Sequence, residues 1–400
     1  MDRNYLVSKE KCSGCEACVN ICSIGAITMI QDEDGFYYPR IDSSMCVDCK
    51  RCERVCPEKN EVAQLCREPQ LYAAINKDEN IRMNSSSGGI FYLLAKAVID
   101  KGGIIFGASF NKNFAIEHIF IDNISELDKL QRSKYVQSMI GTTFSECRKF
   151  LEQDKWVLFS GTSCQIEGLY RYLGTKKYDK LLTVDLICSG NTSPGIWDSY
   201  LKYMEQKFKS KVNEVNFRDK KYGWDRFSLL LKFDSGKIYR RILPNDKWAY
   251  FFLHHYAQRE ICYDCPYKSL NHRADFTLGD FWGVQQEYPE LYDDKGLSFV
   301  LANSEKSHLF WDNMIGVKTK KIPIYMLEKH NQAIVKGPVR PIDRQAFYED
   351  YKVNEFEFLA QKYVNISRWK ESNFLFDSYW RSRIKLGNMY RNIRKALKDR

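Results

Sequence analysis

The residues best suited to chemistry in this chain are cysteines, and most of them lie near its N-terminus. Eight of the 14 cysteines fall within the first 56 residues. They form two copies of the run Cys-x2-Cys-x2-Cys-x3-Cys, a spacing that holds two 4Fe-4S cubanes, with the fourth cysteine of each run ligating the cluster of the other run. The predicted ligand sets are Cys12, Cys15, Cys18 and Cys56 for a first cluster, and Cys46, Cys49, Cys52 and Cys22 for a second.

Structural zinc and a disulfide framework are the competing interpretations of these runs. A structural zinc ion takes four ligands, usually from separated Cys-x2-Cys pairs, so each run would hold more thiolates than one ion needs. Disulfides form in oxidising compartments, and the opening residues 1–5 lack the apolar segment of a secretion signal. The pattern therefore favours iron–sulfur clusters in a cytoplasmic protein, and it predicts a ferredoxin-type domain at residues 1–62.

Four further cysteines lie in the larger C-terminal part of the chain. Two of them directly follow the strands predicted at 156–160 and 181–187, and the carboxyl ends of neighbouring parallel strands meet at one edge of a sheet. The other two lie together in a later turn. A third 4Fe-4S cluster, a zinc site, or inert buried thiols beside an unrelated pair are all compatible with this spacing. The four residues are Cys164, Cys188, Cys262 and Cys265.

A serine- and glycine-rich segment precedes the strongest predicted helix. Residues 84–89 read Asn-Ser-Ser-Ser-Gly-Gly, and the apolar helix predicted at 90–98 follows them. Free backbone N–H groups and the positive end of the helix dipole can bind an anion there, such as the pyrophosphate of a flavin. A plain serine N-cap is the alternative.

The remaining pattern predicts the elements that position these motifs. Strands are expected at 104–110 and 116–121, a helix at 143–151, and a hairpin with its turn at 234–236. The fold class is therefore α+β, with a ferredoxin-like two-cluster domain followed by a larger mixed α/β domain. The predicted divisions after the first domain are a linker at 63–80, two parts of the larger domain at 81–150 and 151–340, and a basic helical extension at 341–400.

Charge and hydropathy exclude several classes of function. The net charge is +10, but residues 371–400 alone carry 8 Lys or Arg against 3 Asp or Glu, and no nucleic-acid-binding motif accompanies the excess. No apolar stretch reaches the ~20 residues that span a bilayer. The C-terminal tail predicts either a solvated helix or an amphipathic helix for peripheral contact with a membrane or an acidic partner. Its basic residues include Arg383, Lys385, Arg391, Arg394, Lys395 and Lys398.

Taken in order, these segments resemble the coenzyme F-420 hydrogenase/dehydrogenase beta-subunit family with an N-terminal two-cluster ferredoxin domain. Several blocks in the right order carry the resemblance more specifically than any one of them. The blocks are 85–89, 133–138, 160–169, 184–190 with 193–194, 217–224 and 262–283.

The resemblance implies an FAD that lies on an α/β core beside a third 4Fe-4S cluster held by the four later cysteines. It implies that the flavin site is formed by Ser86, Ser87, Gly88, Gly89, Lys134, Tyr135, Gln137, Thr162, Asp280 and Trp282. Two residues depart from the family pattern, because Ser163 replaces a proline and Ser189 replaces a histidine. A histidine can move protons near neutrality and a serine cannot do so unaided, so the substrate or the protonation route is expected to differ.

The function implied is that of an iron–sulfur flavoprotein oxidoreductase. Electrons would pass between a ferredoxin or another one-electron donor, the clusters and FAD, and a deazaflavin or another small organic substrate. The rival function is a non-catalytic electron-relay subunit that docks on a partner enzyme, in a setting such as surface-polysaccharide biosynthesis. No Gly-x-Gly-x-x-Gly follows a predicted strand, so a nicotinamide site is unsupported.

Overall fold

The computed structural model describes residues 6–60 and 68–366. Cys66 and the basic tail from Arg383 to Lys398 lie outside the described residues. No helix in the described part of the chain is both long and apolar enough to span a bilayer.

The described elements alternate between strands and helices through most of the chain. The strands are β1 (Ile27–Gln31), β2 (Tyr37–Ile41), β3 (Gln70–Asn76), β4 (Ile104–Phe110), β5 (Ile116–Ile121), β6 (Val157–Thr162), β7 (Leu181–Leu186), β8 (Val212–Asp219), β9 (Ser228–Phe233), β10 (Ile238–Ile242), β11 (Phe276–Asp280), β12 (Ser298–Ala302) and β13 (Val317–Ile322). The helices are α1 (Ala17–Ile21), α2 (Arg51–Val55), α3 (Glu79–Met83), α4 (Ile90–Ile99), α5 (Thr143–Glu152), α6 (Ser163–Leu173), α7 (Pro194–Phe208), α8 (Lys247–Leu253), α9 (Val284–Glu287), α10 (Glu305–Asp312), α11 (Tyr325–His330), α12 (Arg344–Val353) and α13 (Phe356–Tyr363).

The N-terminal domain repeats one local structure twice. Each cysteine run forms a loop in which a non-glycine residue adopts positive φ, Glu16 at 59° and Lys50 at 56°, and a five-residue helix follows at once. Each helix then ends at the fourth cysteine of its run, in extended conformation. The antiparallel hairpin of β1 and β2 lies between the two copies. The internal repeat seen in the sequence is thus a structural repeat.

An eight-stranded sheet forms the centre of the larger domain. Its strand order is β13-β3-β12-β11-β7-β6-β4-β5. The inner strands β4, β6, β7 and β11 run parallel to their neighbours within that group, whereas the flanking pairs are antiparallel. β6 and β7 begin with continuous apolar runs that are buried on both faces, as expected for strands covered by helices on two sides.

Helices cover both faces of this sheet. α4 and α10 pack on one face, where Leu94 and Trp311 are buried against Val184 and its neighbours. α5 and α6 pack on the other face, and the same apolar cluster includes Ala17 and Val55 of the N-terminal domain. The N-terminal domain therefore sits directly against α6. The predicted α+β class, with a ferredoxin-like domain before a mixed α/β domain, is confirmed.

A second apolar core lies around the antiparallel sheet of order β10-β9-β8. It contains Trp197 of α7 and Trp248 of α8, and it extends to Phe347 and Leu359 on α12 and α13. The described part of the predicted C-terminal extension, residues 341–366, is therefore packed onto the domain. The turn predicted at 234–236 joins β9 and β10 in the expected hairpin.

The linker predicted at 63–80 is wrong for residues 70–76. These residues form β3, which pairs with β12 on one side and β13 on the other, and Leu71 and Ala74 are buried. Both partners follow more than two hundred residues later in the chain, so the local sequence holds no sign of the pairing. The predicted parts at 81–150 and 151–340 share the same eight-stranded sheet.

Candidate metal centres and cofactor site

The first predicted cysteine set lines one cavity. Cys12, Cys15, Cys18 and Cys56 bound about 340 Å³ of empty space, and all four are buried. Three of them come from one loop and the fourth from the end of the other run, as the crossed ligand pattern predicts. Four cysteines that line one cavity are the donor set that a cubane requires, with one thiolate for each iron.

The second predicted set is more open. Cys46 and Cys49 are exposed, whereas Cys22 and Cys52 are partly buried in the same small apolar cluster. Burial is the largest cause that raises the pKa of Cys52, and the nearby Cys46 raises it further. The loop that carries these cysteines is exposed throughout residues 42–50. The second set thus lies at the surface and the first set lies inside.

The third predicted set also lines one cavity, at the carboxyl edge of the parallel strands. Cys164 is the second residue of α6, which follows β6, and Cys188 follows β7. Cys262 lies in the 3₁₀ turn at Glu260–Asp264, and Cys265 lies at the end of that turn. Together they bound about 430 Å³ of empty space. The expectation that Cys164 and Cys188 converge is confirmed.

Hydrogen bonds to sulfur in this third set suit ligand thiolates. The backbone N–H groups of Gly190 and Asn191 donate to the sulfurs of Cys188 and Cys262, both at 3.3 Å. The hydroxyl oxygen of Thr162 lies 3.1 Å from the sulfur of Cys164. Such donors stabilise negative charge on sulfur and tune the potential of a bound cluster. The donor set therefore fits an iron–sulfur cluster.

Burial controls the protonation of these thiols. It is the largest cause that raises the pKa of Cys18 and Cys164, and the neighbouring cysteines of each set raise it further. A ligating thiol must lose its proton, and a bound cation favours that loss against the effect of burial. Within residues 6–60 and 68–366, no three cysteine, histidine or acidic side chains converge closely enough to hold a single metal ion.

One helix joins the first and third cavities. Gly168 of α6 lies against Cys15, and a β-carbon at Gly168 would lie 2.9 Å from the β-carbon of that cysteine. Cys164 lies four residues earlier on the same helix, which is about one turn. A second connection is the hydroxyl of Tyr267, beside the third cavity, which donates to Glu58 at the first cavity at 2.6 Å.

Several residues predicted to bind flavin converge on Arg218 of β8. Its guanidinium forms a bidentate ion pair with Asp280 at 2.9 and 3.0 Å. It also donates to the hydroxyl of Tyr135 at 3.0 Å and to the backbone oxygen of Ser86 at 2.8 Å. Arg218 is buried, but Ser86, Tyr135 and Asp280 are only half-buried, so the group borders solvent-accessible surface.

A second cation, Lys220, lies two residues further along the chain. Its ammonium donates to the backbone oxygens of Arg82, Ser87 and Lys295 at 2.7–2.9 Å. Burial is the largest of the causes that lower the pKa of Lys220 to about 7. Trp282 lies nearby, stacked on Trp224 with ring centroids 4.9 Å apart. This side of the domain therefore combines two buried cations with half-buried hydroxyl and aromatic groups.

The other predicted flavin residues lie elsewhere. Gln137 is buried against the first cysteine loop, and Thr162 lies at the third cavity. The ammonium of Lys134 donates to backbone oxygens of its own loop, at Lys129 and Gln131. Gly88 packs so tightly against the backbone of β3 that no β-carbon would fit there. Gly89 adopts φ 81° at the N-terminus of α4.

The two departures from the family pattern have identifiable surroundings. Ser163 lies at the start of α6, with its hydroxyl 3.4 Å from Nδ1 of His272. That nitrogen lies 2.6 Å from a carboxylate oxygen of the buried Asp185. His272 lines the third cavity, whereas Ser189 is half-buried beside Cys188. An imidazole is therefore present at this cavity, although residue 189 does not supply it.

Sequence reasoning missed several residues of these sites. Arg218 and Lys220 belong to a block that carries the family resemblance, but their residue types alone indicate no role. Tyr267 and His272 lie close to Cys265 in the chain and offered no separate signal. Their partners Glu58 and Asp185 are 209 and 87 residues away, so only the fold brings each pair together.

The class of protein follows from comparison with known families. Residues 154–323 match the model of the C-terminal part of the beta subunit of coenzyme F420 hydrogenase/dehydrogenase, and residues 11–60 match that of the 4Fe-4S dicluster domain. The resemblance found in the sequence is confirmed. The chain is an iron–sulfur electron-transfer protein that is similar to the beta subunits of coenzyme F420 hydrogenases and dehydrogenases.

Three individual proteins illustrate the similarity. The F subunit of the F(420)H(2) dehydrogenase of Methanosarcina mazei is 24% identical over 316 residues, which are 72% of this chain and 83% of that protein. An uncharacterized ferredoxin of Methanocaldococcus jannaschii is 40% identical over 52 residues, 13% of this chain and 66% of that protein. A chain of the F420-reducing NiFe hydrogenase complex of Methanosarcina barkeri is 18% identical, with a TM-score of 0.43 over 75% of this chain and 93% of that chain.

Proposed function

We propose that this chain is an FAD-dependent oxidoreductase that exchanges electrons between a one-electron carrier and an organic two-electron substrate. Cubanes pass single electrons, whereas a flavin exchanges one or two and can transfer a hydride. The chain would hold three cubanes with the ligand sets described above. A ferredoxin would be the one-electron carrier. The substrate class would be a deazaflavin such as F420, after which the dehydrogenase of the Methanosarcina mazei relative is named.

The observation that carries the proposal is an unbroken series of contacts from the first cysteine set to the Arg218 group, which consists of Arg218, Asp280, Tyr135 and Ser86. The first and third cavities share α6. Ile187, which lines the third cavity, contacts the backbone at Gly279, the neighbour of Asp280. Asp280 in turn pairs with Arg218. Cys188 and Asp280 thus stand at the carboxyl ends of adjacent parallel strands, β7 and β11, where open α/β sheets bind ligands.

The chemistry of the Arg218 group fits a dinucleotide flavin. Arg218 and Lys220 supply positive charge for a pyrophosphate, and the half-buried hydroxyl groups of Ser86 and Tyr135 supply hydrogen-bonding partners. The partly exposed ring of Trp282 offers an aromatic surface for stacking. Lys220 donates to backbone carbonyls, and an anion beside it would compensate a buried charge.

The substitution Arg218→Met tests the flavin site. Removal of the guanidinium leaves Asp280 without its bidentate partner and takes one cation from the group, so we expect FAD content to fall by at least about tenfold, the equivalent of one charge-assisted hydrogen bond. Iron content is expected to stay unchanged. The measurement is flavin and iron per chain after anaerobic purification.

Arg344→Met is the matched control. Arg344 is also buried and also pairs with a carboxylate, Glu260 at 2.7 Å, but none of its contacts involves the predicted flavin residues. We expect it to retain FAD. Equal loss of FAD in both variants, or full retention in Arg218→Met, would contradict the assignment of the site.

A relay subunit without flavin is the second candidate function. It is favoured by the exposed second cysteine set, which is placed for electron exchange with another protein, and by the Methanosarcina mazei relative, which is itself named as one subunit of a dehydrogenase. A relay would carry iron and no FAD in the wild-type protein. Flavin content therefore separates the two functions.

A further inference from the structure

Arg259 is a fully buried cation whose hydrogen bonds all go to neutral groups. Its relative exposure is 0%. Its guanidinium donates to the backbone oxygen of Cys12 at 2.6 Å, the side-chain oxygen of Gln137 at 2.8 Å and the backbone oxygen of Tyr37 at 2.9 Å. The guanidinium carbon lies 4.0 Å from the centre of the Tyr38 ring. Each of the three guanidinium nitrogens thus donates one hydrogen bond, and the ring of Tyr38 lies against the face of the group.

Three other buried arginines of the described chain have a carboxylate partner. Arg82 pairs with Asp293, Arg218 with Asp280 and Arg344 with Glu260, each within 3 Å. Within residues 6–60 and 68–366, no carboxylate lies within 4 Å of the Arg259 guanidinium. A buried charge without a compensating charge is costly. The buried carboxylate of Glu16 faces the guanidinium from beyond that distance and accepts instead from the backbone N–H groups of Ile140 and Gly141, so Arg259 still lacks a direct ionic partner.

The candidates for a counter-charge to Arg259 are the sulfur centres of the first and third sets. Cys12 of the first set is bound through its backbone oxygen, and the first loop is so close that a β-carbon at Gly14 would lie 3.1 Å from the guanidinium carbon. The third set follows closely in the chain, where the backbone N–H of Cys262 donates to the backbone oxygen of Arg259 at 2.9 Å. Cys12 and Cys262 are also the two thiols that face the guanidinium electrostatically.

We propose that Arg259 is a shared counter-cation of the first and third clusters, which raises the reduction potential of both. The inference rests on the cysteine sets assigned under the proposed function. Reduction adds one electron to a cluster, no bond forms or breaks, and the added negative charge is stabilised by a fixed positive charge nearby. Burial keeps this stabilisation free from screening by salt.

The test is a redox titration of the holoprotein, followed by electron paramagnetic resonance, for wild type and for Arg259→Met and Arg259→Lys. In the Met variant, the potentials of the first and third clusters are expected to shift to more negative values. In the Lys variant, which keeps the charge, they are expected to shift less. The second cluster, whose cysteines make no contact with Arg259 among the described residues, is the internal control and is expected to keep its potential.

Gln137→Glu provides the same test without removing the arginine. The new carboxylate would take the position of an amide oxygen that already accepts a hydrogen bond from Arg259. The variant is therefore expected to fold, with Glu at position 137 and Arg259 forming an ion pair. The carboxylate would offset the positive charge of the guanidinium. The reduction potentials of the first and third clusters are therefore expected to become more negative, as in Arg259→Met. This arm decides the inference if Arg259→Met does not fold.

The outcomes separate this inference from the proposed function. Unchanged potentials in Gln137→Glu, with all three clusters assembled, would overturn the role of Arg259 and leave the function standing. A shift of only one of the two potentials would overturn the shared role. A wild-type protein with three clusters and no FAD would overturn the enzyme function and leave the test of Arg259 intact.

Discussion

His118 shows how burial fixes the charge of a single side chain near the third cavity. Its ring is buried and stacked on Phe159, with Nε2 2.9 Å from the backbone oxygen of Ser160 and Nδ1 3.0 Å from the hydroxyl of Ser138. A neutral imidazole satisfies both contacts, by donating through Nε2 and accepting at Nδ1. Burial is the main cause that lowers the pKa of His118 to about 4, and Lys134 lowers it further.

This pKa predicts a loss of stability in mild acid. The imidazole of His118 takes up a proton near pH 6.5 in the unfolded state but only near pH 4 in the folded state. The stability that the neutral ring contributes is therefore complete above pH 6.5 and is lost as the pH falls from 6.5 towards 4. Between pH 7.5 and 5.5 the wild type should lose roughly 1 kcal/mol more than His118→Gln. Denaturant unfolding followed by tryptophan fluorescence, without oxygen, measures the difference. Equal losses in both proteins would show that His118 does not titrate as described.

At the residue scale, the grouping of the cysteines is predictable from the sequence, and the surroundings of each group are not. Cysteine spacing alone grouped the thiols of the first cavity, because the crossed ligand pattern is a property of the motif. Arg259 and Arg218 carry no such signal. Their roles depend on partners such as Cys12 and Asp280, which are 247 and 62 residues away in the chain. Contacts of that kind are set by tertiary structure, so a single sequence does not reveal them.

Among the elements, α6 determines how the two domains meet. Cys164, in its first turn, lies at the third cavity, and Gly168 lies against Cys15 of the first cavity. Glycine is unfavourable inside a helix by up to about 1 kcal/mol relative to alanine. Its presence here follows from the close approach of the cysteine loop, which leaves no room for a side chain.

Gly168→Ala therefore tests the contact between the domains. Elsewhere in a helix this change would stabilise the protein, but here the new methyl group would lie 2.9 Å from the β-carbon and 3.1 Å from the sulfur of Cys15. We expect a net destabilisation of about 1–3 kcal/mol from overpacking, with partial loss of iron from the first cluster. Thermal unfolding and iron content measure these effects. A higher melting temperature with full iron content would mean that the loop is not held against α6.

Local periodicity was a good guide to elements and a poor guide to pairing. The strands predicted at 104–110 and 116–121 have the observed bounds, because apolar runs ended by turn residues define them locally. The segment at 70–76 follows polar residues and Pro69, a composition that predicts a linker. Its strand exists only because β12 and β13 pair with it.

At the scale of the whole molecule, the two domains place three cysteine sets in a defined order. The second set lies in an exposed loop, the first lies inside the N-terminal domain, and the third lies across α6 in the larger domain. The Arg218 group lies at the carboxyl end of β11, the strand that pairs in parallel with β7. The proposed transfer of electrons needs this order from the surface to the interior. The order follows from the packing of the N-terminal domain on α6.

The central claim, that the chain holds three cubanes and one flavin, is tested most directly by its composition. Iron, acid-labile sulfide and FAD should be quantified per chain after anaerobic purification of the full-length protein. The account predicts about twelve irons, about twelve sulfides and one FAD. A protein with about eight irons and no FAD would contradict both the third cluster and the flavin, and a colourless protein without iron would contradict the account as a whole.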